Sequence, residues 1–233
     1  MEAIILAGGF GTRLRQVVPD IPKPMAPVNG RPFLEYLLDQ LINTGVTRVI
    51  LATGHLHQVV SDHFGKHYRN LPLDYSVENE PLGTGGAIRL AFWKTEGDRA
   101  LILNGDSYLG ADFRLMYGKH MQNGAEVTLA VRKVKNANRF GLLELNRQNR
   151  ITGFREKSKE PLAGWINGGV YFIEKRFLMA PDFRGKFSLE KDCFERYYNE
   201  NRFFGFRTNG YFIDIGVPED YRRAQGDFAR FES

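Results

Sequence analysis

Short apolar runs rich in β-branched residues alternate with longer amphipathic segments along the first half of the chain. The runs predict strands at residues 3–6, 48–52, 73–77 and 100–103. Between them, apolar positions recur at helical spacing and predict helices at residues 32–43, 56–64 and 85–92. This alternation is typical of βαβ units, whose strands form a mostly parallel sheet.

The pattern changes after Asp106. Closely spaced apolar runs predict strands at residues 126–132, 141–145, 151–155 and 166–173, which indicates an antiparallel or mixed section. Helical spacing returns at residues 190–198 and 219–228. Because no linker, repeat or low-complexity tract interrupts the chain, we expect a single domain over residues 1–233 with two functional halves.

The composition is that of an ordinary globular protein. Of the 233 residues, 42% are hydrophobic and 25% are charged. No apolar run approaches the roughly 20 residues that a membrane span requires, so we expect no membrane partner. A secretory signal pattern is absent, and the single cysteine, Cys193, cannot form an internal disulfide. These features favour a cytoplasmic protein.

A net charge of +5 and a pI near 9.3 suit either nucleic acid or an anionic small molecule. The basic residues are spread along the chain and mixed with acids, without a dense lysine and arginine run. We therefore expect no nucleic-acid partner, and the charge alone is also compatible with a solvated basic surface.

A glycine-rich segment follows the first predicted strand. Gly8, Gly9 and Gly11 let the backbone bend tightly so that its N–H groups can approach phosphate oxygens. Arg13 adds a fork of donors that suits the same anion. The segment is not a Walker A loop, and Leu14 stands where a dinucleotide fingerprint requires its third glycine. A phosphate site and a simple turn both remain open.

One lysine lies between two prolines shortly afterwards. Pro22 and Pro24 fix the backbone on either side of Lys23, which reduces the disorder that a loop must lose on binding. A lysine held in this way is well placed to meet an anion. The alternative is a rigid turn with an incidental lysine.

Two glutamates precede a glycine-rich helix start in residues 75–86. The carboxylates of Glu78 and Glu80 are acceptors only, and guanine presents two adjacent donors on its pairing edge. One carboxylate can accept both, whereas uracil, thymine and cytosine match it less well. The glycines of this segment would permit a flat group to approach the backbone. The alternative is that both acids are helix-start charges favoured by the macrodipole.

Two aspartates end or interrupt apolar runs far apart in the chain. Asp106 follows the strand predicted at residues 100–103, at the end where parallel sheets collect ligands. Asp214 lies inside an apolar run, where a carboxylate requires a partner or a metal. Mg²⁺ is typically bound by one or two carboxylates and substrate phosphates, so the pair suits Mg²⁺. Asp112 and Asp220 are interpreted as helix-start residues without a catalytic role.

The motifs LAGGFGTRL at residues 6–14 and PKP at residues 22–24 resemble the signature of the sugar-1-phosphate nucleotidyltransferase family. Later motifs extend the resemblance over nearly the whole chain. It implies an α/β, three-layer, Rossmann-like (GT-A-like) nucleotidyltransferase fold with a mixed, mostly parallel central sheet and a small antiparallel section. Residues 1–110 would bind the nucleotide and residues 111–233 the sugar phosphate.

The resemblance also implies roles for individual residues. Catalytic cations would be Arg13, Lys23 and Lys157, and Asp106 and Asp214 would bind Mg²⁺. The nucleotide would contact Leu6, Ala7, Gly8, Gly9, Gly11, Thr12, Glu78, Glu80, Gly83 and Thr84. The sugar phosphate would contact Asn104, Gly105, Gly141, Glu156, Asn167 and Gly168. Ser158 replaces the proline that usually follows the family lysine, which loosens the match beside Lys157.

The implied reaction is in-line attack of a sugar 1-phosphate on the α-phosphorus of a nucleoside triphosphate, with release of pyrophosphate. The segment at residues 80–84 resembles guanylyltransferases of mannose-type sugar phosphates and favours GTP. A manno-heptose 1-phosphate is the expected sugar, with mannose 1-phosphate, or a uridylyltransferase of an amino-sugar phosphate, as alternatives. An inactive binding subunit of the same fold is a distant alternative, and a homodimer is compatible with the resemblance.

Overall fold

The computed structural model describes residues 1–9, 18, 21–137, 139–155 and 162–230. Its strands are β1 (Glu2–Leu6), β2 (Pro27–Val28), β3 (Arg31–Pro32), β4 (Arg48–Thr53), β5 (His67–Tyr68), β6 (Leu71–Val77), β7 (Arg99–Asn104), β8 (Ser107–Leu109), β9 (Val127–Val134), β10 (Leu142–Leu145), β11 (Ile151–Arg155), β12 (Gly164–Glu174), β13 (Phe203–Thr208) and β14 (Phe212–Asp214). Its α-helices are α1 (Phe33–Leu41), α2 (His57–Phe64), α3 (Gly83–Phe92), α4 (Phe113–Gln122), α5 (Lys175–Leu178), α6 (Glu195–Tyr197) and α7 (Pro218–Ala229). None of the helices in these ranges combines the length and apolar character that crossing a bilayer requires.

Four parallel strands form the centre of the main sheet in the spatial order β7, β1, β4 and β6. Leu6 pairs with Asn104 on one side and with Ala52 on the other. The carboxyl ends of these strands therefore meet at one edge, where side chains and loops from all four can surround a ligand. The strands predicted in the first half of the chain are confirmed within a residue or two of their ends.

The sheet continues beyond β7 in a mixed section. β12 is antiparallel to β7, β9 and β10, whereas β13 pairs with β9 in parallel. A separate antiparallel pair, β8 and β14, lies next to the end of β7. The predicted change of pattern after Asp106 is confirmed. One continuous sheet contains strands from both halves of the chain.

Alternate side chains of the central strands pack on opposite faces of the sheet. Ala3 and Ile5 belong to the core beneath α1, α2, α4 and α7, while Ile4 belongs to the core beneath α3 and α5. These strands are buried on both faces, which explains why they are apolar throughout rather than alternating. The predicted three-layer architecture with a mixed central sheet is confirmed.

Several elements were not predicted, namely the short strands β2, β3, β5, β8 and β14, the strand β13, and the helices α4 and α5. α4 has only Phe113, Met116 and His120 buried, which is too weak a stripe to indicate a helix; β13 was also missed. The helical segment predicted at residues 190–198 is confirmed, as a π-helical turn, Leu189–Phe194, followed directly by the short α6. The side chain of Ser188 caps the turn by accepting the N–H of Lys191.

The start of α3 packs tightly against the loop that precedes the π-helical turn. A side-chain carbon at Gly85 would lie 2.1 Å from Cε2 of Phe187, and one at Gly86 would lie 2.8 Å from the carbonyl oxygen of Gly185. Gly83 has a φ of +72° and its N-terminal neighbour accepts the N–H of Phe187. Glycine at these positions is therefore required by contacts within the protein.

We expect Gly85→Ala to lower the free energy of unfolding by about 1–3 kcal/mol. The added methyl group would displace the ring of Phe187, which is buried and stacked on Phe183. Gly118→Ala is the matched control, because nothing lies within 4 Å of that position in α4. It should raise the free energy of unfolding by about 0.5–1 kcal/mol. Urea unfolding of both variants measures the difference, and equal shifts would contradict the packing argument.

Candidate active site

A cleft of about 670 Å³ lies at the carboxyl ends of the four parallel strands. It brings together most of the predicted residues of the described first half, namely Leu6, Gly8, Gly9, Lys23, Glu78, Glu80, Gly83, Thr84, Asn104, Gly105 and Asp106. Ala7 is buried behind this surface, and its N–H donates to the carbonyl oxygen of Ala52. The cleft is large enough for a small-molecule ligand of nucleotide size.

The two aspartates predicted to bind a metal are brought together by the small sheet. β14 is antiparallel to β8 and places Asp214 opposite Ser107, the residue after Asp106. The N–H of Ile215 donates to the carbonyl oxygen of Asp106 over 2.9 Å. Oδ1 of Asp214 accepts the N–H of Gly216 at 2.7 Å. These contacts bring the two carboxylates, one from each half of the chain, close together beside the end of the cleft that Asp106 lines.

Lys23 completes this charged group. Its Nζ donates to Oδ2 of Asp106 over 2.5 Å, and a side-chain carbon at Gly216 would lie 2.7 Å from the same Nζ. The lysine begins a 3₁₀ turn, Lys23–Met25, in which the N–H of Met25 donates to the carbonyl oxygen of Pro22. The turn between the two prolines therefore holds the lysine against Asp106, and its contact with an anionic ligand stays a prediction.

The electrostatics of the pair suit a divalent cation. Burial raises the pKa of Asp214, the negative charge of Asp106 raises it further, and the ammonium of Lys23 opposes both effects. Two hard oxygen donors are left with a net negative charge of one after Lys23 is counted. Among the described residues, no group of three or more His, Cys, Asp or Glu side chains is arranged for a metal. The two carboxylates of Asp106 and Asp214 fit Mg²⁺, which takes its remaining ligands from phosphates and water.

The two glutamates predicted to read a base differ in burial. Glu78 is half-buried, whereas Glu80 is exposed. Oε2 of Glu78 accepts the N–H of Leu82 at 2.8 Å, and its Oε1 lies 3.3 Å from the position of a side-chain carbon on Gly8. Burial raises the pKa of Glu78, and the Leu82 hydrogen bond partly offsets this. Of these two glutamates, Glu78 is therefore the one whose carboxylate oxygen lies beside Gly8.

Two of the glycines that follow Glu80 do not leave space for a flat ligand to approach the backbone, as the sequence had indicated they would. The space beside Gly85 and Gly86 is filled by the loop at residues 185–187, so these two glycines serve protein packing. The hydroxyl of Thr84 accepts the N–H of Leu189 at 2.8 Å. Gly83 and Thr84 still line the cleft. Close approach is required at Gly8, where a side-chain carbon would lie 3.0 Å from the backbone nitrogen of Gly54.

Two predicted sugar-binding amides meet at one buried hydroxyl. The Nδ2 of Asn167 lies 2.9 Å from the hydroxyl oxygen of Tyr171, and that of Asn104 lies 3.4 Å from it. The hydroxyl lies 3.4 Å from Oε1 of Glu190, which serves as its acceptor. Oδ1 of Asn104 is buried and finds no partner among the described residues. Tyr171 and Glu190 were missed by sequence reasoning, because the register of β12 with β7 places Tyr171 and the packing of the π-helical turn on α3 places Glu190.

The three glycines predicted to face the sugar phosphate lie in different surroundings. Gly105 lines the cleft, and a side-chain carbon there would lie 2.1 Å from the carbonyl oxygen of Leu6. Gly168 is buried beneath Leu109, and Gly141 is exposed outside the cleft lining. The sugar contacts of Gly141, Asn167 and Gly168 stay predictions. Gly11, Thr12, Arg13, Glu156 and Lys157 lie outside the described residues, and their roles stay predictions as well.

The cleft also contains residues that sequence reasoning did not select. Gly54, His55 and His57 line it in the segment that follows β4, and Gly54 lies directly beside Gly8. Leu56, between the histidines, has a φ of +61°, a conformation that only a constrained turn imposes on leucine. Their position after a parallel strand was the signal that could have identified them.

Comparisons with known proteins found matches over nearly the whole chain. The family model described as nucleotidyl transferase matches residues 2–230. The D-glycero-alpha-D-manno-heptose 1-phosphate guanylyltransferase of Aneurinibacillus thermoaerophilus is 43% identical over 231 residues, 99% of this chain and 100% of the relative. A mannose-1-phosphate guanylyltransferase of Mycobacterium tuberculosis is 34% identical over 99% of this chain, but the match covers 65% of that relative.

A solved structure has the same fold. The crystal structure of HddC from Yersinia pseudotuberculosis complexed with GMP-PN superposes with a TM-score of 0.86 at 36% identity. The match covers 97% of this chain and 99% of that one. The prediction of a nucleotidyltransferase fold is confirmed.

Proposed function

Because the chain belongs to the nucleotidyl transferase family, we propose that it transfers GMP from GTP to D-glycero-alpha-D-manno-heptose 1-phosphate, forming GDP-heptose and pyrophosphate. The observation that carries this proposal is the group of Asp106, Asp214 and Lys23 at one end of a cleft whose wall contains Glu78. It combines a site for phosphates and their metal with a site for a base that offers donors.

The reacting groups require positioning more than proton transfer. A sugar 1-phosphate is already an anion, so its attack on the α-phosphorus needs no general base. Asp106 and Asp214 would hold Mg²⁺, which supplies charge neutralisation at the phosphates when bound. Lys23 adds a fixed positive charge in the same place. Arg13 is proposed to stabilise the leaving pyrophosphate, and Lys157 to orient the attacking phosphate.

The choice of sugar is supported by the relatives. The heptose 1-phosphate guanylyltransferase matches this chain over its whole length, whereas the chain spans about two thirds of the mannose-1-phosphate guanylyltransferase. Guanine as the base is supported by the GMP-PN complex of HddC and by the half-buried Glu78. Mannose 1-phosphate is the second candidate, because the 34% identical relative carries that name.

One assay separates these candidates. Pyrophosphate release is measured with GTP, UTP, CTP, dTTP and ATP, each crossed with the 1-phosphates of manno-heptose, mannose, glucose and N-acetylglucosamine. We expect kcat/KM with GTP and the heptose to exceed every other combination by about tenfold or more, since a single lost substrate contact typically costs this much. Reactions without sugar phosphate and without enzyme are the controls. A preference for UTP, or for mannose over the heptose, would contradict the proposal.

A cytoplasmic location and a homodimer also belong to the proposal. Cys193 is buried and free, which agrees with a reducing compartment. Burial, with the nearby negative charges of Glu190 and Asp192, raises the pKa of Cys193 well above its usual range. This thiol is therefore unreactive, and we assign it to packing.

A further inference from the structure

An ion pair ties the segment at residues 139–141 to the first turn of α7. Nη2 of Arg139 donates to Oδ2 of Asp220, whose side chain is only 9% exposed. Asp220 is the third residue of α7, where the helix dipole favours a negative charge. Its Oδ1 lies 3.2 Å from Nη2 of Arg223, a more exposed side chain. Asp220 is more than the helix-start residue that its sequence position indicated.

The neighbour of Arg139 packs against the strand that carries Asp214. The ring centroids of Phe140 and Phe212 are 5.6 Å apart in an edge-to-face arrangement. Phe212 and Asp214 are two residues apart in β14, so their side chains share one face of the strand. The guanidinium of Arg139 lies 5.5 Å from the centroid of the Phe140 ring. Residues 139–141 are thus held beside the face of β14 that presents the Asp214 carboxylate.

Arg139 itself is outside the lining of the nucleotide cleft, and its hydrogen bond goes to Asp220. Gly141, two residues after Arg139, is exposed and does not line the nucleotide cleft either.

We propose that Arg139 and Asp220 are a positioning pair that holds residues 139–141 against β14 and so shapes the sugar-phosphate side of the site. The inference rests on the proposed function, because it assigns this side of the aspartate pair to the sugar phosphate. α7 begins shortly after β14, the strand that carries Asp214. The pair therefore anchors residues 139–141 to the same helix that follows β14. Loss of the pair should raise KM for the sugar 1-phosphate and leave KM for the nucleotide largely unchanged.

Kinetics with two substrates test this assignment. Asp220→Asn and Arg139→Gln should each raise KM for the sugar 1-phosphate by about tenfold or more, since displacement of a positioning segment by about 1 Å has effects of this size. KM for GTP should stay within about twofold of wild type. Arg223→Gln is the matched control, because it removes the other cation from Asp220 while the Arg139 pair remains. It should leave both KM values within about twofold.

A double-mutant cycle and hydrogen exchange keep the test independent of folding and of the proposed function. The combined Asp220→Asn and Arg139→Gln variant should lose little more than either single variant, because both break one interaction. Amide exchange in peptides covering residues 139–145 should be at least about fivefold faster in Asp220→Asn than in Arg223→Gln. The proposal would be overturned if Asp220→Asn raised KM for the sugar 1-phosphate and KM for GTP equally. It would also be overturned if the Arg223→Gln control behaved like Asp220→Asn. A wild-type protein inactive with all sugar phosphates would instead refute the proposed function, while the exchange result would still decide whether the pair holds the segment.

Discussion

Asp214→Asn is expected to lower kcat/KM by at least about a hundredfold, roughly 2.7 kcal/mol of transition-state stabilisation. The substitution preserves the size of the side chain and an oxygen that can accept the N–H of Gly216. It removes one of the two carboxylates that face the phosphate site, so the charge that attracts Mg²⁺ is halved. Pyrophosphate release measured across a MgCl₂ titration should show a higher half-maximal concentration as well as a lower plateau.

Asp112→Asn is the matched control for this prediction. Asp112 caps α4 by accepting the N–H of Leu115, a role that asparagine performs about equally well. This variant should keep wild-type activity and the wild-type Mg²⁺ requirement, whereas Asp106→Asn should behave like Asp214→Asn. Full activity of the wild type in excess EDTA, or of Asp214→Asn at ordinary Mg²⁺, would remove the aspartate pair from the mechanism.

Glu78→Gln should reduce kcat/KM for GTP by roughly tenfold to a hundredfold, as expected for a lost charge-assisted hydrogen bond of about 1.5–3 kcal/mol. The amide oxygen of the glutamine should remain on the N–H of Leu82, because that partner is a donor. Its amino group would then face Gly8 and the base, and would oppose the donors of guanine. The slow use of UTP and ATP should change little.

Glu80→Gln controls for charge and position. Glu80 is exposed, two residues further along the same segment, so its substitution should preserve the preference for GTP. Measuring kcat/KM with GTP, UTP and ATP for both variants gives the discrimination directly. If both variants keep wild-type discrimination, the base is recognised by the backbone around Gly8 and Gly83, and the carboxylate argument is wrong.

The site is assembled from both halves of the chain, and polar contacts join them. Oε2 of Glu190 lies 3.3 Å from the hydroxyl of Thr84 in the nucleotide half, while its Oε1 accepts from Tyr171, which in turn meets Asn167. Residues beside the two proposed substrates are therefore linked through a single carboxylate. The two halves therefore share a polar network as well as one continuous sheet.

Much of the fold could be predicted because its signals are local. The central strands are buried on both faces, so their sequences are apolar from end to end, and α1 and α7 carry a clear apolar stripe. The glycine loop and the proline-bracketed Lys23 are also local signals, since backbone chemistry dictates which residues can form such turns. α4 was not predicted because it buries few side chains.

Sequence alone determined the residue types of the site, namely two aspartates, a fixed lysine and candidate carboxylates for a base. Only the tertiary structure decided which of them act together. The pairing of β8 with β14 brings Asp214 to Asp106, and the packing around Gly8 distinguishes Glu78 from Glu80. The contact of Arg139 with Asp220 depends on where α7 begins relative to a loop far away in the chain. The physical reason is that burial and ion pairing depend on long-range strand register, which no local pattern of residues encodes.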